Sequence, residues 1–331
     1  STDLMLDGTG QFDLLQNSLE GQFEFTARTE SIQSLAGSLG TQLPVDATAS
    51  TNGVLTCANS SCSIEVVNVG ISSPQLEVSG RGRVDMLDEQ PQLELNFEGN
   101  TEDIAVLAQA WGRQWPIPPH LEASVTGWLD LHGNEARLSG LVGQISGAGL
   151  SGRFTGSLIN LMHVPRLTWD LNLDVADLGR LIEYYGGPGD YHESAQVRLQ
   201  VRPSDKRALP LTVHGELLTD ALAAELTGEF EAFDEKSGFS ASFMLTAEGS
   251  QGLRQITSWR LPPMGRLQVT GEVSRATDTD ESISGSVNLE SEKLGQLSAE
   301  GVLGEQWKIG SKLELEFKMD RLSKVTARLR D

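Results

Sequence analysis

The sequence predicts an all-β fold: an elongated, curved antiparallel sheet of tandem repeats of about 74 residues, each with about four strands and one short helix. Three observations predict it. Short helix signatures return at one period, and between them apolar residues alternate with period two. Glycine is abundant at 35 of 331 residues, whereas the residue types that usually do chemistry are sparse, with His at 5 and Tyr at 3.

The helices come first because they set the period. Apolar residues at i, i+3, i+4 and i+7 mark helices at Ile32, Leu35, Ala36, Leu39; at Ile104, Leu107, Ala108, Trp111; and at Leu178, Leu181, Ile182, Tyr185. A fourth set, Leu253, Ile256, Thr257, Arg260, is degraded. The starts at 32, 104, 178 and 253 are 72, 74 and 75 residues apart. Each start follows an N-cap type, Ser31, Asp103, Asp177 or Gly252. Gly40, Gly112 and Gly186 stand where a left-handed C-terminal cap belongs, and Pro44, Pro116, Pro188 and Pro262 prevent continuation.

Between the helices the apolar period drops to two. It does so at Leu93, Leu95, Phe97; at Leu167, Trp169, Leu171, Leu173; at Phe239, Ala241, Phe243, Leu245; and at Leu313, Leu315, Phe317, Met319. Such alternation belongs to strands with one apolar and one solvated face. A glycine-rich strand recurs as well, from Leu76 to Val84 and from Leu150 to Leu158, with related strings at Leu4–Phe12, Leu226–Ala232 and Leu297–Leu303. The chain therefore divides into repeats at 1–72, 73–146, 147–220 and 221–293, the last with a degenerate helix, and a partial fifth at 294–331, together one solenoid-like array.

From Leu150 to Pro188 a paired glycine-rich strand leads into a helix carrying Asp177, Leu178, Leu181 and Gly186, then a proline link back to a strand. This pattern resembles the AsmA-like superfamily, the AsmA, TamB and YhdP type of repeating β-groove envelope protein. It covers most of the chain and weakens after Pro262. The resemblance implies an open apolar groove that shields acyl chains and moves phospholipid between inner and outer membranes. It also implies a periplasmic location, as a fragment of an inner-membrane-anchored protein of a Gram-negative bacterium.

Composition bounds the alternatives. With 25 basic against 46 acidic residues the net charge is −21, which repels phosphate backbones and argues against nucleic acid. It also opposes broad docking on an anionic membrane face. No stretch approaches the ~20 apolar residues of a membrane-spanning helix. The chain opens directly on strand-like Leu4-Met5-Leu6, without a signal peptide, and reads as a fragment of a larger protein. Cys57 and Cys62, four residues apart across a small-residue turn, are placed for a hairpin disulfide in an oxidising compartment. A reduced pair in a cytosolic hairpin is the alternative.

Other motifs read as decoys. Gly147-Ala-Gly149-Leu-Ser-Gly152 spells a dinucleotide fingerprint, yet lies in strand-patterned sequence and not at a strand-to-helix turn. Thr277–Ser282 lacks the glycine and distal glutamate of a calcium loop, and Asn59-Ser-Ser is a turn. His120, His132, His163, His192 and His214 are dispersed, and only His192, between Tyr191 and Glu193, sits in a polar cluster. No metal, cofactor or catalytic residue is expected, and the chain is expected not to be an enzyme.

The apolar stripes are either a closed core or a ligand face. One helix about 10 Å wide cannot cover four strands spaced about 4.8 Å apart, so the sheet either curls on itself or leaves part of its face open. The open reading puts a lipid track along Leu76, Val78, Val84, Leu150, Phe154, Leu158, Trp169, Leu171, Phe243 and Leu245. The partner would be a phospholipid or other acyl-chain ligand. The rival reading is a structural assembly factor that binds an outer-membrane or secretion protein by adding strands at the sheet edge.

Overall fold

Period-two alternation is satisfied by pairing every strand with its sequence neighbour, and the computed structural model of the chain does this throughout. It describes residues 4–15, 18–34, 46–58, 61–86, 92–110, 117–132, 135–160, 166–184, 192–204, 206, 210–231, 237–249, 265–275, 283–293, 295–303 and 313–318. The fold is all-β and antiparallel. Contacts divide it into two units, Ser1–Trp169 and Asp170–Asp331.

The first unit holds β1 (Leu4–Leu15), β2 (Ser18–Thr29), β3 (Thr48–Ala58), β4 (Ser61–Ser72), β5 (Glu77–Met86), β6 (Gln92–Thr101), β7 (Glu122–His132), β8 (Glu135–Gly147) and β9 (Leu150–Ile159), with helix α1 (Ile104–Ala110) between β6 and β7. Each strand pairs antiparallel with the next. Strand β10 (Arg166–Val175) straddles the division.

The second unit opens with helix α2 (Leu178–Tyr184), followed by β11 (Ala195–Pro203), β12 (Leu211–Leu218), β13 (Leu222–Phe230) and β14 (Phe239–Ala247). Then come β15 (Leu267–Arg275), β16 (Ile283–Ser291), β17 (Gly295–Leu303) and β18 (Leu313–Lys318). These strands too pair in sequence order.

The element starts keep the period. β1, β5, β9, β13 and β17 begin at 4, 77, 150, 222 and 295, steps of 73, 73, 72 and 73 residues. β13 corrects one expected alignment, because the partner of Leu150 in the next repeat is Leu222 at the strand start and not Leu226. Only residues 32–34 of the first expected helix are described. The fourth helix, Trp111, Tyr185 and the four link prolines lie outside the described residues.

Two bulges recur at one repeat position. In β4 the register jumps between Val66 and Val69, and in β8 between Leu138 and Leu141. The extra residues, Val67-Asn68 and Ser139-Gly140, are 72 positions apart. Gly140 takes a left-handed φ of 57°, which a glycine adopts without a Cβ penalty. Each bulge switches the inward parity of its strand. Cys62, Ile64 and Val66 therefore share a face with Val69 and Ile71, where an unbroken strand would turn Asn68 inward.

The helix starts are tied to the following strand by one repeated clamp. The first helical N–H donates to a carbonyl just before or at the next strand: Ile32 to Ala47 (2.9 Å), Ile104 to Leu121 (2.8 Å) and Leu178 to Glu193 (2.9 Å). A carboxylate completes each clamp. Asp103 caps α1 by accepting from the Ala105 N–H at 2.9 Å, and its other oxygen accepts from the His120 N–H at 3.0 Å. Asp177 accepts from the Arg180 N–H at 3.2 Å and lies 3.3 Å from His192 Nδ1. At residues 31–47 the roles are exchanged. Ser31 is the cap, accepting from the Ser34 N–H, and donates its own hydroxyl to Asp46 at 2.8 Å.

At the opposite end of the strands, Cys57 and Cys62 face each other in register and form the expected disulfide. A link spanning so few residues removes little denatured-state entropy. Its reduction is expected to cost under about 3 kcal/mol, read as the shift in urea unfolding with and without reductant. A larger loss would mean that Cys57, which is buried, also anchors packing in its reduced absence.

The clamps predict an acid response. The Ser31 hydroxyl holds the Asp46 carboxyl below its ordinary value, the His120 N–H does so for Asp103, and the Arg180 N–H for Asp177, all against a smaller opposing effect of burial. Folded values below unfolded ones mean that the stabilisation is full above the ordinary carboxylate range. It is lost as pH falls through that range toward the lower folded values. The triple variant Asp46→Asn, Asp103→Asn, Asp177→Asn should melt lower than wild type at neutral pH and approach it at acid pH. A difference in Tm that stays constant from neutral pH to below about pH 3 would refute the clamp.

Candidate functional site

Residues opposite one another in an antiparallel ladder share a face, so the register itself lays out the candidate surface. In the first unit Ile71, Val78, Gly99, Val125, Gly143 and Phe154 form one row across β4 to β9. Gly82, Leu95, Leu129, Leu138 and Leu158 form another. Val84, Leu93, Leu131 and Ala136 form a third. In the second unit the rows include Leu199, Gly215, Leu226, Phe243, Gly271 and Val287, and beside it Val197, Leu217, Ala224, Leu245, Val269 and Leu289.

All ten residues expected to line a lipid track fall on these inward faces. Seven lie in the first unit: Val78 and Val84 on β5 with Leu76 just before it, Leu150, Phe154 and Leu158 on β9, and Trp169 on β10. Leu171, Phe243 and Leu245 lie in the second. The alignment is partial, since β5 and β9 are four strands and about 19 Å apart. Val78 and Phe154 share a row, whereas Val84 lies one row beyond Leu158.

Glycines make room for the aromatic rings. A Cβ at Gly143 would collide with the Phe154 ring, and one at Gly271 with the Phe243 ring, so each ring lies flat over its cross-strand glycine. Phe154 also meets Trp169 edge-on with centroids 5.6 Å apart. The recurrent glycines thus act by close approach. Gly147 and Gly149 do something else. With Ala148 they carry positive φ in the two-residue hairpin from β8 to β9, so the dinucleotide-like string turns a strand into a strand.

Burial separates the ends of the strands from their middles. Fully buried apolar residues collect at the helix-bearing end: Ala47, Ala108, Leu121 and Leu150 in the first unit, and Leu178, Ala195, Leu222, Ala247 and Leu267 in the second. There Leu222, Ala247 and Leu267 pack with Leu217, Leu245 and Leu289. The ten track residues differ. Only Leu150 is buried, Trp169 is 36% exposed, and the others are half-buried. Among the described residues, one end of the face is sealed and its middle is left accessible.

The opposite face is polar. At the helix-bearing end of the first unit it carries a cavity of about 360 Å³ lined by Ser72, Glu77, Asn100, Glu122, Ser124 and Ser146 among others. No group of three or more His, Cys, Asp or Glu could hold a metal among the described residues. His120 and His192 take part in the helix clamps, and His214 is near Thr227 and Glu216. His163, Asn59 and Thr277–Ser282 lie outside the described residues. The clamp was legible in hindsight, because Asp46, His120 and His192 stand 74 and 72 positions apart.

No family model, no curated protein and no solved structure matches the chain. No helix among the described residues is long and apolar enough to cross a membrane.

The ring-over-glycine packing is open to a direct test. Gly143→Ala forces Phe154 off its site and is expected to cost about 1–3 kcal/mol. In a Phe154→Ala background the same substitution should cost at least about 0.5 kcal/mol less, a coupling measured by a double-mutant cycle in urea. Additive costs would show that the ring and the glycine do not meet.

Proposed function

We propose that the chain is a non-enzymatic carrier or conduit for acyl-chain lipid, whose inward apolar face shelters the chains while head groups face water. One observation carries this reading: apolar rows without a charged residue run across β4 to β9 of the first unit, and their mid-strand members are accessible. An accessible apolar surface of this kind on a chain of net charge −21 calls for an apolar ligand. Burial is worth about 0.8 kcal/mol per CH₂. Because rows recur at each strand spacing of about 4.8 Å, a chain shifting along them exchanges one set of contacts for a similar one. Similarity to the AsmA-like superfamily, a periplasmic location and phospholipid traffic between two membranes belong to the same proposal, and the Cys57–Cys62 disulfide agrees with an oxidising compartment.

A second reading has its own observation. β1 pairs only with β2 among the described strands, and Leu4, Met5, Leu6 and Phe12 on it are exposed. A long apolar edge of this kind accepts an added strand, as an assembly factor would require.

Native mass spectrometry of the purified chain should find co-purified lipid. Phe154→Glu and Leu158→Glu should lose lipid crosslinking while melting near wild type, because water reaches these positions once lipid is gone. If the face were a closed core, the same changes would bury an unpaired carboxylate at several kcal/mol and the protein would unfold. A folded variant that crosslinks lipid as well as wild type removes these positions from the track.

A further inference from the structure

The inward face of the second unit carries one charge. Over β11 to β16 the inward positions run Ala195, Val197, Leu199, Val201, Pro203 on the first strand and continue apolar or small through Ile283, Gly285, Val287, Leu289 and Ser291 on the last. The charged exception is Arg275, the last residue of β15. It pairs across the ladder with Phe239, which pairs in turn with Phe230. The two rings stack with centroids 5.9 Å apart, and the Arg275 guanidinium lies 5.7 Å from the centre of the Phe239 ring. This cluster stands at the strand ends remote from the sealed end formed by Leu222, Ala247 and Leu267.

We propose that Arg275, held over Phe239, is the head-group site of the second unit and selects acyl lipids that carry an anionic, phosphate-type head group. The inference rests on the lipid reading of the apolar face and adds the chemistry of the ligand's polar end. A chain of net charge −21 repels anionic amphiphiles over most of its surface, so accepting one requires a local cation. A guanidinium supplies five N–H donors in a planar fork that matches two phosphate oxygens, and it keeps its charge beside apolar neighbours. Stacking on Phe239 orients the fork and leaves its edge to the ligand. Acyl chains laid on the rows from Phe243 and Leu245 would then carry the head group to the one end of the face where a cation waits.

The test compares lysophosphatidic acid with the uncharged monoacylglycerol of the same chain, titrated into the full chain. Wild type should prefer the anionic lipid by roughly tenfold, about 1.4 kcal/mol. Arg275→Gln should bring the two affinities together without weakening the neutral lipid. Arg198→Gln, which removes an equal charge from the polar face, should leave the preference intact. Excess inorganic phosphate should not displace the lipid, since the acyl chain is needed; displacement would reassign the site to a free anion and overturn the proposal. If both lipids bind wild type equally, or Arg275→Gln keeps the preference, the head-group assignment is wrong and the apolar face stands. If neither lipid binds wild type, the lipid reading fails and takes this inference with it. Should Arg275→Gln not fold, Arg275→Lys and a salt series on wild type decide. The preference must survive the lysine and shrink as salt rises, and failure of either overturns it.

Discussion

The antiparallel register between consecutive strands is the constraint on which the rest of this structure depends. Side chains alternate with period two, so one slipped pairing would carry every apolar residue of a strand to the solvated face. Rows such as Gly82, Leu95, Leu129, Leu138 and Leu158 exist only because four successive pairings agree. The bulges in β4 and β8 belong to the same logic. Each absorbs a change of phase in the sequence and keeps Val69 and Leu141 on the face already occupied by Val66 and Leu138. Their recurrence 72 residues apart makes them part of the repeat and not local accidents.

A face built this way has to be smooth enough to be useful and bulky enough to hold the strands together. Glycine and aromatic residues divide that work. Phe154 over Gly143 and Phe243 over Gly271 cover backbone that would otherwise be bare, and the rings spread sideways across the strands without rising from the sheet. Stability is drawn instead from the helix-bearing end. There the clamps of Asp103 and Asp177 fix the helix starts, and Leu121, Leu178 and Leu267 are buried. Packing strength and accessibility are thus separated along each strand, which lets one sheet be both a stable ladder and an open apolar surface.

Exchange of residues within the clamp shows what is conserved physically between repeats. A hydroxyl cap with a carboxylate across from it, at Ser31 and Asp46, does the same work as a carboxylate cap with a histidine across from it, at Asp103 and His120. What must persist is an acceptor for the orphan helix N–H groups that also reaches the next strand. The lone Arg275 has no such counterpart on the inward faces of β1 to β9, which hold no charge, and this is why it marks function and not architecture.

By itself the sequence determined the all-β class, the period and the membership of each face. Caps, glycines and alternation are local signals, and Ser31, Asp103 and Asp177 do cap while Phe154, Leu158, Phe243 and Leu245 do point inward. The pairing of Cys57 with Cys62 was local too, set by a short turn. Tertiary structure alone decided which rows line up, because register sums over several strands and bulges. It placed Val78 level with Phe154 and moved Val84 one row beyond Leu158. It also decided that burial gathers at one end of the strands, and that Arg275 comes to rest over Phe239. Those outcomes join residues 36 positions apart and more, and no window of local propensity contains both partners.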